Sequence, residues 1–168
     1  MMNIFILRHG IAVERGTRGF EKDSERPLTG KGKRQLRTSA AAMKRMKLRL
    51  DLILSSPYKR ARQTAEIIAE ELKLKKRLKL SDALKSENDP ETAIAEIAGL
   101  EPKPENLLLV GHEPYLSHLI SRLVSRNGNL AMDFKKGGLC KLEMGGSGSA
   151  TNAQLVWLLT PKLMKEMA

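Results

Sequence analysis

The sequence predicts an α/β fold: a three-layer α/β/α sandwich around a mainly parallel central sheet, with antiparallel strands near the C-terminus. Two patterns and one bulk property lead there. Through the first two-thirds of the chain, short apolar segments alternate with segments whose apolar residues recur every three or four positions, as in strand–helix units laid into a sheet covered on both faces. Near the end, two strand-like segments flank a Gly/Ser-rich stretch, and a hairpin of that kind is antiparallel. The 168 residues, 41% hydrophobic, fit one domain (1–168) with a packed core rather than a disordered chain.

Asn3–Leu7 reads as a buried strand, short and rich in Ile, Phe and Leu, closed by Gly10. Gly16–Pro27 is polar and reads as a loop. Thr29 is the expected N-cap of a helix reaching about Met46, with Leu36, Ala40, Met43 and Met46 as its apolar stripe. Asp51–Ser55 is a second strand. Ser56 and Pro57 are expected to open the next helix, a capping side chain followed by proline at the first helical position. Ala61, Ala65, Ile68 and Leu72 line one face of that helix. Leu78–Leu80 is a short strand, Pro90 opens a helix to about Ala98, and Pro102 with Pro104 marks a loop. Asn106–Val110 is an apolar strand closed by Gly111, and Tyr115–Val124 is the helix that follows. Leu139–Met144 and Gln154–Leu159 are the hairpin strands; the Gly145–Ser149 loop between them lacks the spacing and the Lys-Ser/Thr of a nucleotide-binding P-loop.

The net charge of +11 is unevenly placed: residues 31–80 hold 16 Lys/Arg against 4 Asp/Glu, and the remainder 14 against 15. Three readings of the excess stay open: steering of an anionic substrate, contact with a polyanion, and the solvated face of helices, which takes most of the lysines. Aromatic residues make up only 4%, which argues against stacking platforms for single-stranded nucleic acid. The one cysteine, Cys140, leaves no disulfide within the chain and suits a reducing compartment. No apolar run approaches the roughly 20 residues of a membrane-spanning helix. Met1–Leu7 is too short for the apolar core of a secretion signal. The expectation is a cytoplasmic, monomeric protein with no membrane contact.

Chemistry concentrates at three strand ends, where open α/β sheets bind their ligands. Arg8-His9-Gly10 follows the first strand, Ser55-Ser56-Pro57-Tyr58-Lys59-Arg60 the second, and Gly111-His112-Glu113-Pro114 the strand 106–110. If those strands are parallel neighbours, Arg8, His9, Arg60 and His112 meet at one sheet edge and form a phosphate site, because guanidinium forks match phosphate oxygens and stay charged. Arg8 and His9 can share that site only if the chain turns, which Gly10 permits. Arg60 in the first turn of a helix adds free backbone N–H groups and the helix dipole.

These residues resemble the signature of the histidine phosphatase superfamily: Arg8-His9-Gly10, the run Ser56 to Thr64, and Gly111-His112-Glu113-Pro114, in this order and spacing over nearly the whole chain. Arg26-Pro27-Leu28-Thr29, Gly111–Pro114 and the short length resemble its SixA-type phosphohistidine phosphatases. The resemblance implies His9 as the nucleophile, Arg8 and Arg60 as the phosphate-holding arginines, and His112 as a donor to a phosphate oxygen. It implies no metal or other cofactor, and the sequence holds no carboxylate cluster suited to Mg²⁺ and no Cys/His set suited to Zn²⁺. Independently, a histidine nucleophile must be neutral at the attacking nitrogen, and neighbouring guanidinium charges favour the neutral form. The same charges neutralise the phosphoryl oxygens during transfer, and water then attacks the phosphohistidine.

A general acid is the least defined part. Asp82, after strand 78–80, is the best positional match, and Glu113 is a second candidate. A phosphoramidate lessens that need, since imidazole leaves more readily than an alkoxide. The expected partner is a phosphorylated protein such as a histidine phosphotransfer domain, with a small phosphorylated metabolite as the alternative. A non-catalytic polyanion-binding module is the reading from another class. Arg26 has two open readings, phosphate contact or pairing with Asp23 or Glu25. Arg15, Arg18 and Lys22 border the expected entrance. His118 reads as a structural or exposed histidine, and Ser56 as a helix cap rather than a nucleophile.

Overall fold

A computed structural model describes residues 1–125, 130–145 and 153–168. Its sheet is built from β1 (Met2–Arg8), β2 (Leu52–Ser55), β3 (Leu78–Leu80), β4 (Asn106–Gly111), β5 (Leu139–Met144) and β6 (Ala153–Leu159) in the order β3-β2-β4-β1-β5-β6. The pairs β1/β4, β2/β4 and β2/β3 are parallel, and β1/β5 and β5/β6 antiparallel. The helices are α1 (Gly30–Arg45), α2 (Lys59–Glu71), α3 (Pro90–Ala98), α4 (Tyr115–Val124) and α5 (Pro161–Met167).

The three layers follow from the strand period of two. In β1, Ile4 and Ile6 face one core with Leu107 and Leu109 of β4, beneath α3 and α4. Phe5 and Leu7 face the other core with Leu108 and Val110, beneath α1, α2 and α5. Both faces of β1 and β4 are buried, which explains their unbroken apolar runs. Thr29 caps α1 as expected, accepting a hydrogen bond from the Gly32 amide at 3.0 Å. Gly32 is needed for close approach: a Cβ there would stand 2.2 Å from the Ile11 carbonyl oxygen.

Three local readings change. Helix α2 begins at Lys59, its N-cap Tyr58 supplies no capping side chain, and Pro57 lies outside it. Ser56 is therefore not the cap; its hydroxyl meets His112 instead. Gly10 has no left-handed backbone, and the room it leaves is what matters, since a Cβ there would come within 2.9 Å of Leu36 Cδ1. Helix α5 was not anticipated, although Thr160 accepts from the Leu163 amide and Pro161 occupies the first turn. The stretch read as a Gly/Ser loop lies, from residue 146 to 152, outside the described residues. No helix among the described residues is long and apolar enough to cross a membrane.

This topology positions the site. Strand β4 lies between β1 and β2, with Arg8 in register with Gly111 and Ser55 with Val110, so three carboxyl ends finish level with one another. Chain direction across the sheet reverses here, the kind of crevice in which α/β sheets place ligands. The basic segment 31–80 forms outer helix faces and helix ends, where Arg37 and Lys44 pair with Glu71, Arg62 with Glu66, and Lys75 with Glu70.

Candidate active site

His9 emerges from β1 with 6% of its surface exposed. Its Nδ1–H donates to the Gly10 carbonyl at 2.7 Å, because a carbonyl can only accept. That bond leaves Nε2 with a lone pair, which accepts from Arg60 Nε–H at 3.2 Å. The backbone is pinned as well: His9 N–H donates to the Gly111 carbonyl, and Gly137 N–H bonds the carbonyls of Arg8 and His9. Burial pushes the His9 pKa down to about 2; the Gly10 hydrogen bond opposes this, and His112, Arg60 and Arg8 add to it.

His112, 1% exposed, follows β4, and its ring centroid lies 5.3 Å from that of His9. Burial, then the charge of Arg60, lowers its pKa to about 3. Its Nε2 is 2.8 Å from Ser56 Oγ, while Nδ1 is buried with no hydrogen-bond partner among the described residues. Arg8 Nη1 donates to the Phe134 carbonyl at 2.6 Å, and its Nε is likewise buried and unpartnered. Arg60, 3% exposed, divides its donors between His9 and Asp23: Nη1 to the Asp23 carbonyl at 2.7 Å and Nη2 to Oδ2 at 2.8 Å. Two buried imidazoles held neutral, two guanidinium groups and two unspent nitrogens thus gather at the ends of β1, β2 and β4. Such a cluster is suited to an anion with several acceptor oxygens.

The histidine phosphatase superfamily (branch 1) model matches residues 4–86. An uncharacterized protein of Picosynechococcus sp. is 31% identical over 164 residues, covering 96% of this chain and 98% of that protein. The chain belongs to the histidine phosphatase superfamily. Phosphohistidine phosphatase SixA of Escherichia coli (strain K12) is 27% identical over 165 residues, covering 98% of this chain and 97% of that protein. A solved structure of the protein histidine phosphatase SixA complexed with tungstate superposes with a TM-score of 0.84 at 27% identity, covering 96% of this chain and 98% of that one.

The structure brings Arg8, His9, Arg60 and His112 together and engages three other candidates with other partners. Asp82 has a side chain 79% exposed and pairs with Lys85 at 3.0 Å. Glu113 spends both oxygens on Ser117, accepting from its amide at 2.9 Å and its hydroxyl at 2.5 Å. It acts on the site only as a charge near Arg8, whose pKa burial lowers and Glu113 raises. Arg26 takes the pairing alternative: Nε and Nη2 donate to Asp23 Oδ1 and Nη1 to the Val13 carbonyl, which uses three of its five N–H groups within the loop.

The residue whose importance sequence reasoning missed is Asp23. Its carboxylate joins Arg26 to Arg60, and the hydrogen bonds and charges of both arginines outweigh its burial and hold its pKa near 2. The signal was the i, i+3 spacing to Arg26; nothing local pointed to Arg60, 37 positions away. Tyr58 packs at a tilt against His112, with ring centroids 5.2 Å apart, and its hydroxyl donates to Glu87 at 2.5 Å. That bond pushes the phenol up to about 12 and the Glu87 carboxyl down. Thr64 Oγ1 accepts from the Gly10 amide at 3.1 Å and so ties α2 to the turn after β1.

Proposed function

We propose that this chain is a metal-independent phosphatase that forms a phosphohistidine on His9 and acts on phosphohistidine in a protein. The observation that carries the reading is the His9 ring itself. Its proton is committed to Gly10, which puts the lone pair of the neutral ring on Nε2, where it accepts a hydrogen bond from Arg60, and burial keeps it unprotonated. In the first step an Nε2–P bond forms as the bond from phosphorus to the leaving nitrogen breaks, and that nitrogen leaves as neutral imidazole after protonation from solvent. Arg8 and Arg60 hold the phosphoryl oxygens while charge shifts between the two partners. In the second step water attacks phosphorus, the Nε2–P bond breaks, and inorganic phosphate and free His9 result.

Substrate class follows from what surrounds the nucleophile. Asp23 is the described carboxylate bound to Arg60, and it is held ionised, so it has no proton to give. Asp82 and Glu113 are engaged elsewhere. An alkoxide needs a proton from a placed acid, whereas an imidazole leaving group does not depend on one to the same degree. This supports a phosphoramidate over an alkyl phosphate. SixA, similar along its full length, is by name a phosphohistidine phosphatase.

The test compares kcat/KM on a phosphorylated histidine phosphotransfer domain with a panel of sugar phosphates and nucleotides, with and without EDTA. The expected result is preference for the phosphoprotein, no effect of EDTA, and an acid-labile phosphoenzyme lost in His9→Ala. Faster turnover of an alkyl phosphate would move the substrate class to small metabolites. Polyanion binding that survives His9→Ala, with no turnover of any substrate, would replace the enzyme reading with a binding module.

A further inference from the structure

The sequence rules made Ser56 a helix cap, and the structure leaves it without that task. Its hydroxyl is fully buried and has two partners among the described residues: the Tyr58 amide, which donates to Oγ at 3.3 Å, and His112 Nε2 at 2.8 Å. A serine hydroxyl offers one proton and two acceptor positions. The amide fills one acceptor position. The contact with His112 then has two solutions. Either Nε2–H donates to Oγ, or Oγ–H donates to an unprotonated Nε2.

The two differ in what they leave unsatisfied. In the first, the serine proton has no acceptor in a buried environment, and Nδ1 becomes a bare lone pair. In the second, the serine proton and one acceptor position are used, and the proton of the neutral ring sits on Nδ1, so that one donor, rather than a donor and an acceptor, is left without a partner among the described residues. A buried donor or acceptor left unmade is penalised by more than a typical hydrogen bond contributes, so the second is favoured. It also suits the neighbourhood. Nδ1 is the edge of the ring turned away from Ser56, it is buried with no hydrogen-bond partner among the described residues, and an anion carrying only acceptor oxygens requires an N–H there.

We infer that Ser56 is a positioning residue that fixes the tautomer of His112: its hydroxyl donates to Nε2, keeps the imidazole proton on Nδ1, and so turns His112 into a hydrogen-bond donor for the bound anion. The identification of that anion as a phosphoryl group rests on the phosphatase reading above; the tautomer does not. His9 is set in the same sense by different means, a backbone carbonyl on Nδ1 that makes its Nε2 an acceptor. The two rings thus take complementary roles: Nε2 of His9 attacks, and Nδ1–H of His112 stabilises. Ser56 does not touch the reacting atoms and acts through His112.

The experiment is long-range ¹⁵N–¹H correlation of the imidazoles in uniformly ¹⁵N-labelled full-length protein at pH 7.5, with His112 assigned by the signal missing in His112→Asn. The wild type is expected to show His112 protonated at Nδ1. Ser56→Ala moves that proton towards Nε2 while the His9 signals stay in place. Ser56→Thr, which keeps the hydroxyl, retains the wild-type tautomer. Turnover of a phosphoramidate falls about ten- to a hundredfold in Ser56→Ala, the value of one hydrogen bond to a developing charge, and returns in Ser56→Thr. A wild-type His112 protonated at Nε2, or a tautomer unmoved by Ser56→Ala, overturns the inference. A tautomer that responds as stated in a protein with no phosphatase turnover refutes the functional reading and leaves the assignment of Ser56 standing.

Discussion

Acidification to pH 5 should destabilise this protein by an amount set by two side chains. His9 and His112 have folded pKa values pushed by burial to about 2 and about 3. In the unfolded chain each returns to about 6.5, so below that pH the unfolded state binds protons the folded state refuses. Stability is therefore complete above about pH 6.5 and is lost as pH falls below it, down to the folded values. At pH 5 the deficit is about 1.36 kcal/mol times about 1.5 pH units, or about 2 kcal/mol per imidazole and about 4 kcal/mol for the pair. This figure does not depend on the exact folded values, because both lie well below pH 5. Asp23, near 2 in the folded chain, stays ionised in both states between pH 7.5 and 5 and adds nothing to the slope. Urea unfolding at the two pH values, followed by circular dichroism and by the fluorescence of Trp157, measures the difference. His112→Asn should halve it. A loss below about 1 kcal/mol would show that the imidazoles are not held neutral, and the mechanism would lose its unprotonated nucleophile.

Other perturbations separate the parts of the site from the parts of the fold. Asp23→Ala strands the buried Arg60 Nη2 and frees Arg26, and is expected to reduce kcat/KM about tenfold or more, with a stability loss of about 1–3 kcal/mol tempered by the partial exposure of Asp23; both are read by steady-state kinetics and urea titration. Gly32→Ala drives a Cβ into the Ile11 carbonyl and should lower stability by about 2 kcal/mol or more, measured by thermal unfolding. Lys47 and Lys73 hold left-handed backbone, with φ of 54° and 59°, at the ends of α1 and α2. Glycine at either should raise stability by about 0.5–1 kcal/mol and leave turnover unchanged, since both lie at the opposite end of the sheet from His9.

Legibility in the sequence depended on whether a signal was local. The strands β1, β2 and β4 were readable because burial on both faces demands continuous apolar runs, and α1 and α3 because Thr29 and Asp89-Pro90 carry their start signals in place. Helix α5 carries the same kind of signal in Thr160-Pro161 and was still overlooked; it is a seven-residue element whose apolar contact with the core is Met164. The site was legible to the extent that strand ends announce themselves: Arg8-His9, Arg60 and His112 each sit where a strand stops or the next helix begins. The contacts of the two acid candidates were not legible for the matching reason. Asp82 and Glu113 stand out by position along the chain, and position does not say which group a flexible carboxylate meets first. Lys85 and Ser117, three and four residues on, claim them.

Ser56 shows why the remainder was out of reach. A serine before a proline at the mouth of a helix satisfies the capping rule, and the rule weighs only the helix it opens. Here the hydroxyl had a second suitor, an imidazole 56 positions away brought next to it by the β2/β4 pairing. A neutral histidine buried beside arginines must have its proton placed by a neighbour, whereas a helix start can be left to its own backbone and solvent. The stronger demand wins, so α2 starts two residues later and without a side-chain cap. Asp23 follows the same logic, since the buried guanidinium of Arg60 and the half-buried one of Arg26 require an anion more than the loop requires a free carboxylate. In this fold the departures from local rules fall on the groups that control charge and protons around His9.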